Sequence, residues 1–177
     1  MTWEEQLFAL FDDLEQQADG LFQVERGHEI ADRGQAEYAQ VTLASRMMAS
    51  IDREVVIEVI GVGSVGGTLQ RVSADWSLIA GQGQEWIVRL PAVSQVRGAS
   101  DRSIPPAAWS PTASLGLGSA LRRIAQDRQR CLLHLMDGAR HAVVVGRVGA
   151  DFVEATAGES TTALYPFSSI AAAQKRD

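Results

Sequence analysis

Gly61-Val62-Gly63-Ser64-Val65-Gly66 follows the apolar run VVIEVI and has the spacing of a dinucleotide-binding loop. In that chemistry the glycines let a pyrophosphate approach the backbone at the start of a helix. Residues 68–80 could supply the helix, with Leu69, Val72, Trp76 and Ile79 on one face. Three features oppose this reading. A long helical stretch precedes the strand, where such folds usually begin with the strand itself. No acid ends the next strand, EWIVRL, where a ribose-binding carboxylate belongs. The corresponding turn of a second copy, Asp137-Gly138-Ala139-Arg140-His141, lacks the glycine spacing. The glycines read better as a flexible hairpin turn, and no cofactor is expected.

Other reactive residue types are sparse. His28, His134 and His141 lie in different kinds of segment, with no HxH or HExxH spacing for a metal. His134 alternates with apolar neighbours, as a satisfied core or edge histidine does. Serines 64, 73, 77 and 94 form no GxSxG elbow. The one cysteine, Cys131, sits in the apolar run CLLHL and reads as a buried thiol. No enzyme activity and no metal are expected. Arginine carries most of the positive charge, since Lys175 is the only lysine. Arg122, Arg123, Arg128, Arg130, Arg140 and Arg147 are the one basic concentration, able to grip phosphate or simply to solvate a surface.

Charge is distributed unevenly over the chain's net −6. Residues 1–54 hold twelve carboxylates against four arginines, while 100–177 hold nine bases against seven acids. An acidic arm on a near-neutral body is not a nucleic-acid footprint. No apolar run approaches the ~18 residues of a membrane span, and the acidic N-terminus differs from a signal peptide. Both point to the cytoplasm.

Residues 2–50 read as helix, one long or two in a hairpin. Thr2 and Glu5 fit a capping box. Trp3, Leu7, Leu10, Leu14 and Leu21 recur at helical spacing, and Tyr38, Val41, Ala44, Met48 and Ile51 form a second stripe. Such an arm exceeds what one small barrel can cover, so it should fold back, engage a protein partner or pair with a second copy. From Val55 the period changes to two. Strands alternate through 55–60, 72–78 and EWIVRL, with GQGQ (81–84) as a hairpin turn. Residues 99–116 are rich in proline and serine and read as a linker.

The pattern then repeats. Sliding by 76 aligns Arg71, Val72, Ala74, Asp75 and Trp76 with Arg147, Val148, Ala150, Asp151 and Phe152. Sliding by 75 beyond the hairpin places Leu90-Pro91 on Tyr165-Pro166. Asp75 and Asp151 suit the turn of a bent strand, with Trp76 and Phe152 filling a small core. Alternatively Arg71 and Arg147 contact a ligand on a sheet face. The organisation expected is an acidic helical segment (1–50), a first barrel (51–98), the linker (99–116), and a helix plus second barrel (117–177).

Gly67-Thr68-Leu69 with Asp75, and Ala92-Val93-Ser94-Gln95-Val96, resemble the Sm-like barrels of bacterial Hfq and the LSm proteins. Tyr165-Pro166-Phe167-Ser168-Ser169-Ile170 repeats the likeness more weakly. The resemblance implies α+β, mostly β architecture: a long N-terminal helical segment followed by two tandem Sm-like or SH3-like barrels. The RNA-holding segment of Hfq-type proteins falls on Arg89-Leu90-Pro91 and does not match, so RNA binding is not carried to those positions. The layout also resembles a group of actinobacterial proteins. The leading expectation is a non-catalytic adaptor or scaffold that binds a protein partner, or itself, through its N-terminal helix. RNA binding through the second copy's arginines is the alternative.

Overall fold

The computed structural model describes Arg26 and residues 33–158 and 161–176. The chain divides into two compact units, 1–41 and 42–177. In the first, the described part is a short helix over 33–38 that ends in a turn at 39–40. Trp3, Leu7, Leu10, Leu14 and Leu21 lie outside the described residues.

The second unit opens with helix α1, Leu43–Met48, and contains a second helix, α2, Leu117–Asp127. Thr42 stops any continuous helix from reaching residue 50. Its backbone is extended (φ −88°, ψ 160°), and its side chain accepts a hydrogen bond from the Ser45 N–H at 3.1 Å. That is an N-cap, which starts a new helix rather than continuing an old one. The stripe from Tyr38 to Ile51 is therefore split between separate elements.

Ten strands follow in chain order: β1 Glu54–Val59, β2 Gly63–Val72, β3 Trp76–Gly81, β4 Gln84–Arg89 and β5 Val93–Arg97. The second copy supplies β6 Arg130–Leu135, β7 Arg140–Val148, β8 Phe152–Ala157, β9 Thr161–Pro166 and β10 Ile170–Arg176. They form one antiparallel sheet in the order β5-β1-β2-β3-β4-β10-β6-β7-β8-β9. This corrects the expected long helix and pair of separate barrels. Closing a five-stranded half on itself would require β4 to pair with β5. Instead β10 takes the edge of β4, from Ala172↔Val88 to Arg176↔Gln84. Both halves thereby become parts of a single ladder.

The repeat is present in the register itself. Ile57 pairs with Val65 as Leu133 pairs with His141, and Leu69 with Ile79 as Val145 with Ala155, a constant shift of 76. Beyond the hairpin the shift becomes 77, because Trp76 pairs with Arg89 while Phe152 pairs with Pro166. The second hairpin is one residue longer, not shorter. Leu90-Pro91 therefore corresponds to Phe167-Ser168, and the match to Tyr165-Pro166 is coincidental.

Each half has its own apolar cluster, and the two interdigitate across the junction. Met47, Ile57, Leu69 and Ile79 centre the first, which also takes Ala171 and Ala172 from the second half. Leu121, Leu133, Val145 and Ile170 centre the other, which receives Trp76, Leu78 and Ile87 from the first. Alternate strand residues face these clusters, as a sheet covered by helices on its apolar side requires.

Residues 99–116 form an ordered strap despite their linker composition. Two 3₁₀ turns begin at Pro106 and Pro111. The Ser100 N–H donates to Ser50 Oγ at 2.8 Å, Ile104 N–H to the Ser45 carbonyl at 3.0 Å, and Trp109 Nε1 to the Ile104 carbonyl at 2.8 Å. Further on, Trp76 Nε1 donates to the Leu115 carbonyl at 2.8 Å and Leu117 N–H to Asp75 Oδ2 at 3.1 Å. These bonds satisfy backbone groups that a buried loop would leave unpaired. They also fix where α2 starts.

Candidate functional site

The glycine run forms a hairpin and a strand crossing. Gly61 (φ +75°) and Gly63 (φ +100°) turn the chain between β1 and β2 in the left-handed region. Gly67 and Gly81 meet where β2 and β3 approach so closely that added Cβ atoms would strike backbone. Residues 68–72 continue β2 instead of opening a helix, so no helix N-terminus faces the glycines. The phosphate-binding geometry is not built here.

What the glycines do build is a groove of about 660 Å³ across the first half of the sheet. Its lining includes Gly66, Gly67, Gly81, Gln84 and Trp86 together with Glu54, Thr68 and Arg97. Thr68 Oγ1 donates to Glu54, and Arg97 Nη2 bonds Glu58 Oε1 at 2.9 Å. The lining therefore offers both signs of charge, an indole and the amides of Gln82 and Gln84. A smaller hollow of about 310 Å³ sits on the second half, lined by Arg130, Cys131, Leu132, Ala142 and Gln174. Arg130, Cys131, Leu132 and Ala142 correspond to Glu54, Val55, Val56 and Gly66 by the shift of 76, and Gln174 to Arg97 by 77. Repetition has kept the place and changed the chemistry.

A buried polar chain joins the two regions. His134 Nε2 meets Gln174 Oε1 at 3.0 Å, and Gln174 Nε2 donates to Gln84 Oε1 at 2.7 Å. That order makes Nε2 the protonated nitrogen of a neutral imidazole, whose ring lies 5.1 Å from Trp86. His134 Nδ1 is buried without a partner among the described residues. Burial, the largest influence, lowers the pKa; the Gln174 bond opposes the shift and the Arg140 charge adds to it. On acidification the unfolded chain binds this proton first, so its contribution to stability is full above about pH 6.5. It is lost as pH falls toward the lower folded-state value. Urea denaturation between pH 7 and 5.5 should show stability falling by up to about 1.4 kcal/mol per pH unit, and His134→Gln should flatten that slope.

The other singled-out residues take structural places. Asp75 holds α2 through its carboxylate, and its carbonyl accepts from Leu90 N–H at 2.8 Å. Asp151 keeps only the carbonyl half of that role, accepting from Phe167 N–H at 2.7 Å. Trp76 is buried in the second cluster and Phe152 is half-buried. Arg71 and Arg147 are both exposed where the sheet ladder shifts register, and Arg147 pairs with Glu154 at 2.8 Å.

The arginines of the second half lie on different elements. Arg122 and Arg123 are exposed on α2, with Arg123 acting on Asp127, and Arg128 ends that helix in a left-handed conformation. Arg130 and Arg140 stand at opposite ends of the β6–β7 ladder. His141 bonds Tyr165 Oη at 2.8 Å, while His134 points to the other face of the sheet. Burial pushes the Cys131 thiol up to about 11, well away from thiolate reactivity. Among the described residues no His, Cys, Asp and Glu group could hold a metal, and no helix is long and apolar enough to cross a membrane.

Sequence reasoning missed the groove. Its signal was present, because glycines inside strands mark close backbone approach. No protein-family model matches the chain, and comparison with curated proteins gives no significant match.

Proposed function

We propose that the protein is a non-catalytic binding scaffold whose groove takes an extended segment of a protein partner. The observation that carries this is the shape and lining of the groove. Gly66, Gly67 and Gly81 leave part of the lining without side chains, where an extended chain can approach the backbone, and Trp86 is available to an apolar side chain. Glu54 and Arg97 can meet opposite charges along that chain. Both already take part in pairs within the protein, Glu54 with Thr68 and Arg97 with Glu58, and both remain exposed.

Gly66→Ala tests the reading with little effect on the fold. An added Cβ there meets only Val56 Cγ2 at 3.7 Å and the Val55 carbonyl oxygen at 3.9 Å. The second copy already has Ala142 at the same register position. Folding stability should stay level or rise by about 0.5 kcal/mol. Peptides selected from a random display library on the wild type should bind Gly66→Ala and Trp86→Ala about tenfold more weakly, by fluorescence anisotropy, a loss of about 1.4 kcal/mol. Unchanged affinity in both variants would place the peptide elsewhere and end this reading. Tight, salt-sensitive binding of U-rich RNA with no selectable peptide would give the role to the arginines instead.

A further inference from the structure

Gln84 belongs to two structures at once. Its carbonyl oxygen takes the last bond of the buried polar chain, from Gln174 Nε2 at 2.7 Å, and the residue also lines the groove. An amide whose oxygen is held in this way has its NH2 left to offer. We infer that this NH2, beside Trp86, selects what the groove takes: an extended segment with an Asp or Glu side chain next but one to an apolar side chain. The inference rests on the groove reading proposed above and adds to it the chemistry of the segment.

The direction of the polar chain is set at its buried end. His134 is only 3% exposed, and its Nδ1 has no partner among the described residues. Two orders of donors suit the distances along the chain. In the first, Nε2–H donates to Gln174, Gln174 donates to Gln84, and Nδ1 keeps a bare lone pair. In the second, both amides are turned round and Nδ1 carries a buried N–H with nothing to accept it. Orphaned buried N–H groups are rarer than under-used acceptors, so the first order holds. A histidine outside the groove lining therefore decides which end of Gln84 the groove receives.

The spacing of the segment follows from the strand. Gln84 and Trp86 are alternate residues of β4 and both line the groove, while Glu85 between them does not. Alternate residues of a strand share a face, and a bound segment in the same conformation repeats that period. The carboxylate follows from the NH2. It accepts without donating, and a hydrogen bond to an ionised acceptor is about twice as strong as one between neutral groups. A lysine in that place would bring donors to a donor. Glu54 and Arg97 contribute one charge of each sign to the lining, so the amide decides the preference.

Gln174 is a positioning residue in this arrangement. It stands outside the groove lining and acts by holding the Gln84 oxygen. Gln174→Leu fills similar space without adding charge, and it frees the Gln84 amide to turn over and offer either end. Gln84→Glu keeps one oxygen for Gln174 and turns another to the groove, exchanging the donor for an acceptor.

Random dodecapeptides, displayed without a free C-terminus and selected on the full chain, are the probe. The selected sequences should carry Asp or Glu next but one to an apolar residue. One of them is then made with an amidated C-terminus, together with a counterpart in which lysine replaces the acid. Both are titrated by fluorescence anisotropy at about 150 mM salt, where long-range charge is screened. The wild type should prefer the acidic peptide by about tenfold or more. Gln84→Glu should reverse that preference, and Gln174→Leu should bring the two peptides within about threefold, each variant keeping wild-type far-UV dichroism. A selection without the acid, or a preference unmoved by both substitutions, overturns this inference and leaves the groove reading standing if Gly66→Ala and Trp86→Ala still weaken binding. Binding indifferent to those two removes the groove reading and this inference with it.

Discussion

Gly61→Val should destabilise the protein by about 3 kcal/mol, seen as a lower urea midpoint at unchanged slope. Two costs combine. The residue sits at φ +75°, where a β-branched side chain is strained by about 1–2 kcal/mol. Its Cβ would also fall against the Leu135 and Met136 carbonyl oxygens and Gly138 N, all backbone atoms of the β6–β7 turn in the other half. Backbone cannot swing aside as a flexible side chain can, so the two halves must separate locally. Gly63 makes a clean comparison, because it too has positive φ (+100°) but nothing within 4 Å. Gly63→Ala should therefore show only the conformational cost, about 1 kcal/mol. If Gly61 and Gly63 variants lost the same small amount, the close approach between halves would not hold in solution.

Leu121→Ala should be comparably severe, at about 3 kcal/mol. Leu121 is fully buried, and with Leu117, Ala120 and Ile124 it forms the apolar face of α2 over the second cluster. Truncation leaves a cavity under a helix held at its start by Asp75 and therefore poorly able to collapse into it. The adjacent residues Arg122 and Arg123 are exposed, and their alanine variants should stay within about 0.5 kcal/mol of wild type. That contrast has a practical use. Charge can be removed from α2 to examine nucleic-acid binding without unfolding the protein, and thermal denaturation will show whether this holds.

Much of the β-rich half of the fold could be read from residue periods. The alternation from Val55 onward and the hairpin at Gln82-Gly83, both with φ of +55° to +68°, follow from strand and turn chemistry. The repeat was visible in Arg71/Arg147 and Asp75/Asp151. Its continuation was misplaced, because Pro91 lies inside a 3₁₀ turn, Leu90–Ala92, while Pro166 ends a strand. Proline's fixed φ suits both positions, so identity alone could not distinguish them. The β4–β10 junction was not legible at all. Its ladder is made by main-chain groups, which every residue carries, and its side-chain marks, such as Leu78 and Ile87 facing a cluster other than their own and Gln174 bonded to Gln84, have no local spacing in the sequence. The long helix fails at Thr42 for a similar reason. Helical spacing persists across the break, while a single capping side chain decides it.

The groove illustrates a different limit. Gly61, Gly63 and Gly66 formed a ligand motif on paper, yet the useful pair is Gly67 and Gly81, brought together across two strands. Linear spacing reports the turn. Only the register reports the close approach of the two strands.

The place of β10 has a consequence in time. It is the tenth strand made and the sixth across the sheet, lying between β4 and β6. As the chain is synthesised, β1–β5 can pair early, while β4 waits with Trp86 and Ile87 uncovered for a partner 81 positions beyond Arg89. Joining such distant segments is entropically slow, and the waiting edge is open to any other strand nearby. The junction of the two halves is therefore the last part of the sheet to be completed, and it waits on the arrival of β10.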